Sequence, residues 1–269
     1  MRVETDSKLL HARDYIDALA ARGRYFFASS DAQKALGVSP IAAASALNRL
    51  SRRKLIASPA RGFYVVIPPE HRPLGCLPAE QFIPDLMERL HLSYYVGLLS
   101  AAQYHGAAHH SPQELQVFLE KNRRPIHQGA VRVRFIARAG LPGVPVESLN
   151  TPSGSFLVSS PEATAIDLVG YAHRAGGLGN VATVLSELEE KIDPVKLAAV
   201  APTAPVSWSQ RLGFLLEHLG FPEKAATLKD YVRQHEKDWA TLSPKSSRAR
   251  SHPNKGWKLH VNTKIESEA

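Results

Sequence analysis

The sequence contains a single cysteine, Cys76, among 269 residues. One cysteine excludes an intrachain disulfide and a zinc site built from several cysteines, and it fits a reducing compartment. Long hydrophobic runs are also missing, since no stretch approaches the roughly 18 apolar residues of a membrane-spanning helix. The charged N-terminus lacks the apolar centre of a signal peptide. We therefore expect a cytoplasmic protein without a membrane partner.

Acidic residues are scarce in two parts of the chain. The formal net charge is +8, of which residues 1–68 carry +6, residues 69–220 carry −2 and residues 221–269 carry +4. A sequence pI near 9.6 with clustered cations is typical of proteins that bind nucleic acid. The clusters direct attention to the N-terminal quarter and to the tail.

The N-terminal quarter begins with two predicted helices. Apolar residues recur at helical spacing over residues 12–21, and residues 25–28 form a short aromatic run that favours a strand. Ser30 and Gln33 have the spacing of a capping box at the start of the second helix. Gly37 is a suitable C-terminal residue for this helix.

A third helix is predicted to carry two distinct faces. It begins with Ser39 as N-cap and Pro40 at the first helical position, and it ends near Arg53. An apolar stripe at spacings of three is formed by Ile41, Ala44, Leu47 and Leu50. A second, polar face is formed by Ser45, Asn48, Arg49 and Arg52.

A hairpin follows, with a turn at residues 58–62 and a second strand that ends at Pro68. The order of helices and strands predicts a winged helix-turn-helix, whose second helix enters the major groove while the wing reaches the backbone. Ser45 and its small neighbours allow close approach, and Asn48 and Arg49 can reach base edges. The cations placed to meet phosphates are Arg52, Arg53, Lys54 and Arg61. The alternative is that these cations are the solvated face of an ordinary helix.

The rest of the chain predicts a larger mixed α/β domain at residues 80–269, after a Pro-rich linker at residues 69–79. The fold class is thus α+β, with the winged helix-turn-helix at residues 1–68. A basic stretch at residues 243–254 is expected to be mobile, and residues 256–262 to return as an edge strand. Predicted strands lie at residues 114–120, 131–137 and 154–159, and a helix is predicted to start with Ser160 as N-cap.

The strand at residues 131–137 places three cations on one face: Arg132, Arg134 and Arg138. This second basic face could contact phosphates or RNA. Equally, it could be a solvent-facing strand whose long side chains cover apolar neighbours.

Catalytic and metal-binding readings find little support in the residue pattern. His105, His109 and His110 are close in sequence, but Gly106 is expected to break the helix between them. The only Glu-x-Lys pair of the kind found in nucleases, at residues 189–191, falls in a helical pattern rather than on a strand. We therefore expect neither an enzyme, nor a metal site, nor a cofactor.

Several stretches together resemble the AbiEi family, which comprises antitoxins and transcriptional regulators of type IV toxin-antitoxin systems, a class of phage-defence system. These stretches are the N-terminal winged helix with RGFYVVIP, and then YYVGLLSAAQYHGAAHHSPQELQVFL, FLVSSPEATAIDLV, SQRLGFLLEHLG and GWKLHVN. They occur in the same order over nearly the whole chain. No single stretch is a catalytic fingerprint, and the specificity lies in their succession.

The resemblance implies a repressor whose N-terminal domain binds inverted repeats in the promoter of its own operon. The larger C-terminal domain would provide the antitoxin function against a nucleotidyltransferase-like toxin, without a stable complex being required. The DNA-contacting residues carried over by resemblance are Ser39, Ser45, Asn48, Arg49, Arg52, Arg53 and Arg61. No motif fixes the residues of the antitoxin activity. We expect a monomer off DNA.

One further function stays open at this point. The chain could be a stand-alone winged-helix regulator whose C-terminal domain binds a ligand or another partner. The gene next door distinguishes the two, because a nucleotidyltransferase-like neighbour favours the antitoxin.

Overall fold

The computed structural model describes residues 2–107, 112–247, 249 and 251–265. The chain divides into two compact units, one of residues 1–93, 122–135 and 148–156, and another of residues 94–121, 136–147 and 157–269. These cuts do not coincide with the boundaries at residues 68 and 80 expected from the sequence, which stay a prediction. The α+β fold class is confirmed.

The first unit begins with three helices and a small antiparallel sheet. Its strands lie in the order β1, β3, β2, and Phe27 of β1 is paired with Tyr64 of β3. The order of elements is consistent with the predicted winged helix-turn-helix. In chain order the elements are α1 (Arg2–Ala21), β1 (Phe26–Ala28), α2 (Ser29–Leu36), α3 (Pro40–Arg52), β2 (Ile56–Ala60) and β3 (Phe63–Val66).

Helix α2 starts two residues earlier than the capping-box pattern predicted. Its N-cap is Ala28, whose backbone N–H donates to Oδ2 of Asp31 at 3.1 Å. The predicted pair of Ser30 and Gln33 is therefore wrong, because Asp31 satisfies the free backbone group instead. Gly37 ends the helix as predicted, with a φ of 60° that favours glycine.

A single apolar core holds these elements together. Ile16 of α1, Phe27 of β1, Leu47 of α3 and Ile56 of β2 are all 2% exposed or less. Tyr15 packs edge-on against Phe27 with ring centroids 5.5 Å apart, and Tyr64 stacks on the same ring at 5.6 Å. This packing fixes the orientation of α3 within the unit.

The Pro-rich segment after β3 is folded. Residues Pro69–Leu74 form a 3₁₀ helix that ends at Gly75 with a φ of 67°. The backbone N–H of Ala130 donates to the Leu74 carbonyl at 2.7 Å, which fixes the end of this helix. The unit continues with α4 (Ala79–Leu90), β6 (Ile126–Gln128) and the first residues of β7 (Val131–Ala137).

The second unit is built on parts of a six-stranded sheet in the order β6, β7, β5, β4, β9, β8. The predicted strands at residues 114–120, 131–137 and 154–159 are confirmed as β5 (Leu115–Leu119), β7 and β9 (Gly154–Ser159). Strands β4 (Tyr95–Val96), β6 and β8 (Val146–Thr151) are additional. Strand β4 pairs with β5 in antiparallel orientation and with β9 in parallel orientation, and Val96 of β4 lies opposite Val158 of β9.

Helices cover this sheet and supply most of its core. The predicted N-cap Ser160 is confirmed, since its Oγ accepts the backbone N–H of Ala163 at 3.3 Å. The helices are α5 (Leu98–Tyr104), α6 (Pro161–Gly170), α7 (Leu178–Leu188), α8 (Pro194–Val200), α9 (Val206–His218) and α10 (Pro222–His235). Every residue of α6 except its last is buried, which makes it the central helix.

The tail forms a second small sheet in this unit. Strands β10 (Ala240–Thr241), β12 (Leu259–Val261) and β11 (His252–Asn254) lie in that order, so that β12 is central and not the predicted edge strand. His252–Asn254 was expected to be mobile and is instead a paired strand. The chain segment that follows β10 is also held in place, because the Nδ2 of Asn262 donates to the carbonyl of Ser243 at 2.9 Å. Arg248 and Arg250 of the predicted mobile stretch lie outside the described residues.

Candidate nucleic-acid interface

The candidate interface is the solvent-facing side of α3, together with the loop after it and the β2–β3 hairpin. The buried side of α3 is formed by Ala43, Ala46, Leu47 and Leu50. The exposed side is formed by Ile41, Ala44, Ser45, Asn48 and Arg52. Spacings of three and four keep the exposed residues in one row along the helix, as a reading helix in a major groove requires.

The apolar stripe expected from the sequence is only half correct. Leu47 and Leu50 are buried, but Ile41 is 82% exposed and Ala44 is exposed. Each residue advances the helix by about 100°, so positions three apart drift round the axis and Ile41 comes to lie opposite Leu50. Sequence reasoning thus missed Ile41 as a residue of the exposed face.

The N-terminus of α3 is capped as predicted. The Oγ of Ser39 accepts the backbone N–H of Ala42 at 3.3 Å, and Pro40 occupies the first turn where a missing N–H does no harm. Ser39 was also predicted to contact DNA. Its hydroxyl is already engaged in the cap, so its first role is to fix the start of the helix.

Arg49 stands apart from the exposed row. It is half-buried, and its Nε is removed from solvent without a hydrogen-bond partner among the described residues. Asn48 beside it is exposed, and Ser45 lies one turn before Asn48 on the same side. The structure therefore places Asn48 and Ser45 on the exposed side of α3 and Arg49 at the edge of that side.

Three cations follow one another at the end of α3. Arg52, Arg53 and Lys54 are all exposed. Lys54 has a φ of 55°, and the next backbone N–H, that of Leu55, donates to the Leu50 carbonyl at 3.1 Å. This left-handed residue ends the helix and turns the chain into β2.

The hairpin places Arg61 at its tip. Arg61 is exposed in the two-residue loop between β2 and β3, beside Gly62 with a φ of 72°. The Oγ of Ser58 braces the loop by contacts with the carbonyl oxygens of Ala60 and Phe63, both at 3.1 Å. Arg61 is thus presented on a fixed support.

Charge in this region has one sign. Residues 32–69 contain six lysines and arginines and no aspartate or glutamate. The exposed cations of α3 and of the hairpin therefore have no acidic side chain of this segment to neutralise them. Such an arrangement attracts the phosphate backbone.

Two family models match the chain. A model described as "Transcriptional regulator, AbiEi antitoxin" matches residues 14–67, and one described as "AbiEi antitoxin C-terminal domain" matches residues 95–218. The two models occur in the expected order and together cover two thirds of the chain. The chain belongs to the AbiEi antitoxin family.

One solved structure supports the fold of this AbiEi chain, and a second match is reported beside it. The RV2827C protein from Mycobacterium tuberculosis matches with a TM-score of 0.68 and 17% identity, over 93% of this chain and 91% of that one. An antigenic nucleotidyltransferase-like protein from Paracoccidioides brasiliensis matches with a TM-score of 0.38 and 12% identity, over 56% of this chain and 90% of that one. The comparison with curated protein sequences found no match.

The second basic face predicted for the AbiEi chain loses one of its three members. Arg138 is 3% exposed, and its Nε donates to Oδ1 of Asp167 at 2.9 Å. The predicted alternation holds from Val131 to Phe135 and breaks at Ile136, so that Arg138, the residue after β7, is covered whereas Arg132 and Arg134 are half-exposed. Arg132 donates to the carbonyl of Gly129 at 2.6 Å, so its guanidinium is held close to the backbone.

The sequence predicted that the histidines near residue 105 form no metal site, and the structure describes only some of these histidines. The Nε2 of His105, which is 6% exposed, lies 2.7 Å from the carbonyl oxygen of Ser159. His109 and His110 lie outside the described residues. Over the described ranges no three histidine, cysteine, aspartate or glutamate side chains are grouped to hold a metal. No described helix is long and apolar enough to cross a membrane.

A cavity of about 320 Å³ lies in the second unit, between α6, the start of α7, α9 and the segment after β10. Its apolar lining includes Val169, Leu178 and Leu242, and it is also lined by the imidazole of His173 and by the cations Arg211 and Lys245. Burial lowers the pKa of Arg211, whose Nε donates to the carbonyl of Thr241 at 2.8 Å. Burial and then the charges of Lys245 and Arg174 lower the pKa of His173.

Proposed function

We propose that the chain is the antitoxin of a bacterial type IV toxin-antitoxin system that also binds its own promoter and represses transcription. The observation that carries the DNA-binding part is the exposed row on α3, which ends with Arg52 and is followed by the exposed cations Arg53, Lys54 and Arg61 in a segment without acidic residues. The C-terminal family match supports the antitoxin part. The protein acts in the cytoplasm, without cofactor or catalysis, and is a monomer off DNA.

Each side chain has a role in this proposal. Asn48 and Ser45 read base edges in the major groove, and Arg49 reaches a base from the flank of the helix. Arg52, Arg53, Lys54 and Arg61 hold phosphates and set the position of α3. Inverted repeats in the promoter would then present two half-sites to two copies of the winged helix.

The toxin side of the proposal rests on the family alone. The partner is a nucleotidyltransferase-like toxin encoded alongside, opposed without the need for a stable complex. No residue of the C-terminal domain is assigned to this activity.

The test is binding of the full chain to the DNA upstream of its own gene and to a scrambled duplex of equal length, across a salt series. A preference of about a thousandfold or more for the upstream DNA supports a specific repressor. Equal and steeply salt-dependent binding to both duplexes contradicts it. Co-expression with the neighbouring toxin then tests the antitoxin part, and growth rescue by the chain is the expected result.

A second function is favoured by the cavity in the second unit. A stand-alone regulator would bind a ligand there, and the cations Arg211 and Lys245 beside an apolar lining suit an anion with an apolar portion. Under this alternative a ligand changes the affinity for upstream DNA, and no toxin gene lies next door. RNA binding through β7 is less well supported, because Arg138 is buried.

A further inference from the structure

Ile41 is the most exposed large hydrophobic residue in the part of the chain that the structure describes. It is 82% exposed, ahead of Val195 at 69% and of all others at 41% or less. Ile41 lies at the second position of α3, directly after Pro40, within the first turn of the helix. A single exposed isoleucine needs no explanation elsewhere, but here it stands on the face proposed to read DNA.

Packing does not account for this isoleucine. The core of the N-terminal helices takes Ala46, Leu47 and Leu50 from α3, and Ile41 is neither in it nor packed against it. Its neighbours on the exposed side, Ala44 and Ser45, have short side chains and leave the Ile41 side chain exposed to solvent. The fold therefore gains nothing from a branched apolar residue at position 41.

Major-groove chemistry offers Ile41 a suitable partner. Among the groups that base edges present in that groove, the 5-methyl of thymine is the apolar one, and apolar side chains contact it. Residues in the N-terminal part of a recognition helix contact base edges, and small neighbours allow the backbone to come close. Both conditions hold at the start of α3.

We propose that Ile41 is a specificity-determining residue that packs on the 5-methyl group of a thymine in each operator half-site. This inference rests on the proposed DNA binding and names one feature of its substrate. The surrounding charge favours DNA as the occupant over a protein partner, since the exposed cations Arg52, Lys54 and Arg61 belong to the same segment, residues 32–69, which has no acidic residue. The methyl contact adds discrimination by base identity to the phosphate contacts of these cations.

The test replaces thymine by deoxyuridine, which removes the methyl group alone, at one position of the upstream DNA at a time. For the full-length wild-type chain we expect a loss of affinity of about three- to tenfold at one position in each half-site. Ile41→Ala should bind the thymine DNA more weakly by a similar factor. It should then be indifferent to deoxyuridine at that same position, because the two changes remove the same contact.

A matched control variant exists in the second unit. Val195 occupies the second position of α8 behind an Asp193 cap and Pro194, just as Ile41 follows Ser39 and Pro40. Val195→Ala should retain the full thymine preference. Thermal unfolding of both variants checks that neither change disturbs the fold, as expected for side chains exposed to solvent.

The outcomes separate this inference from the proposed function. The chain could prefer upstream DNA over scrambled DNA and yet be insensitive to deoxyuridine at every position. This result would overturn the proposed role of Ile41 and would still support the repressor function. Ile41→Ala with an undiminished deoxyuridine effect also overturns it and assigns the methyl contact elsewhere. If the wild-type chain shows no preference for upstream DNA, the result contradicts both the proposed repressor function and the proposed methyl contact.

Discussion

Arg138 and Asp167 form an ion pair that is almost completely removed from water, with 2% and 0% of their side chains exposed and Nε lying 2.9 Å from Oδ1. The hydroxyl of Tyr95 donates to the other carboxylate oxygen at 2.7 Å. Burial and the neighbouring Asp167 charge raise the pKa of the Tyr95 phenol, so that it stays protonated and keeps its role as donor. The carbonyl of Thr203 accepts from Arg138 Nη1 at 3.2 Å, which satisfies the guanidinium further.

Asp167→Asn should destabilise the chain strongly, because it leaves the Arg138 charge buried without its counterion. Breaking a buried pair in this way costs about 3–5 kcal/mol. The side-chain volume is nearly unchanged, so the loss reports the charge and not a cavity. Urea unfolding of the full chain measures the change in the free energy of unfolding.

Asp17→Asn is the control for this prediction. Asp17 pairs with Arg13 on α1 at 3.6 Å, but the two side chains are 65% and 54% exposed. Exposed pairs of this spacing contribute about 0.3–0.5 kcal/mol. Similar effects of Asp167→Asn and Asp17→Asn would contradict the structural role of the buried pair.

Local signals in the sequence predicted the N-terminal fold well, and the reason is visible in α3. Ser39 and Pro40 define the start of the helix through short-range hydrogen bonding and a fixed φ, which act without help from the rest of the chain. Burial is different, because it depends on what packs against a face. Ile41 was assigned to the core and Arg138 to the surface, and the structure reverses both.

In the candidate interface, too, the features set by local sequence could be predicted and those set by tertiary packing could not. The cations at the end of α3 and at the hairpin tip could be located from the sequence, since charge and turn residues are local properties. A strand as short as β4 has too few residues for a period to show, and it forms by pairing with β5 and β9, which are distant in the sequence. The half-buried state of Arg49 likewise follows from tertiary packing.

Gly213→Ala should destabilise the second unit although alanine favours helices. Gly213 lies in α9, and a Cβ placed there meets the ring of the fully buried Trp257. The ring cannot move freely, because its Nε1 donates to Glu217 at 2.8 Å and Lys229 lies 5.3 Å from the ring centre. Overpacking of this kind costs about 1–3 kcal/mol.

A double-mutant cycle with Trp257→Leu checks that the ring is the cause. Trp257→Leu alone should destabilise by removing buried area, and Gly213→Ala should add little in that background. Chemical denaturation of the four proteins gives the coupling. Additive losses would place the strain of Gly213→Ala elsewhere in α9.

Asp85 should make the stability of the chain fall as the pH rises through the range from about 4 to about 6. Burial, followed by the charge of Glu88, raises the pKa of this α4 carboxyl from its ordinary value of 3.8 to about 6. The folded chain then binds more protons than the unfolded chain between these values, so raising the pH removes stability. Asp85→Asn should raise the melting temperature at pH 7, and the gain should vanish below pH 4.

Glu88→Gln provides a graded check of the Asp85 prediction. Removing the Glu88 charge lowers the pKa of Asp85, so the fall in stability should shift to lower pH without disappearing. Melting curves from pH 3.5 to pH 8 measure both variants. A pH profile that Asp85→Asn leaves unchanged would assign the dependence to another group.

Arg49→Ala should weaken binding to the upstream DNA by about 1–3 kcal/mol if the guanidinium makes a bidentate contact with a guanine. Binding to a scrambled duplex should change little. Arg49→Lys keeps the charge but lacks the planar fork, so it should lose nearly as much on the upstream DNA. Equal losses of Arg49→Ala on both duplexes would make Arg49 a phosphate contact instead.

Arg61→Ala should lower the salt dependence of DNA binding by about one counterion, because the wing tip then releases one phosphate contact. Arg61 is exposed at the end of a braced hairpin, so its removal should leave the melting temperature unchanged. Arg233→Ala on α10 removes the same charge from a side chain that is 65% exposed in the second unit. The slope of log Kd against log salt concentration should fall for Arg61→Ala and stay constant for Arg233→Ala. Equal slopes for wild type and Arg61→Ala would show that the hairpin does not reach the backbone.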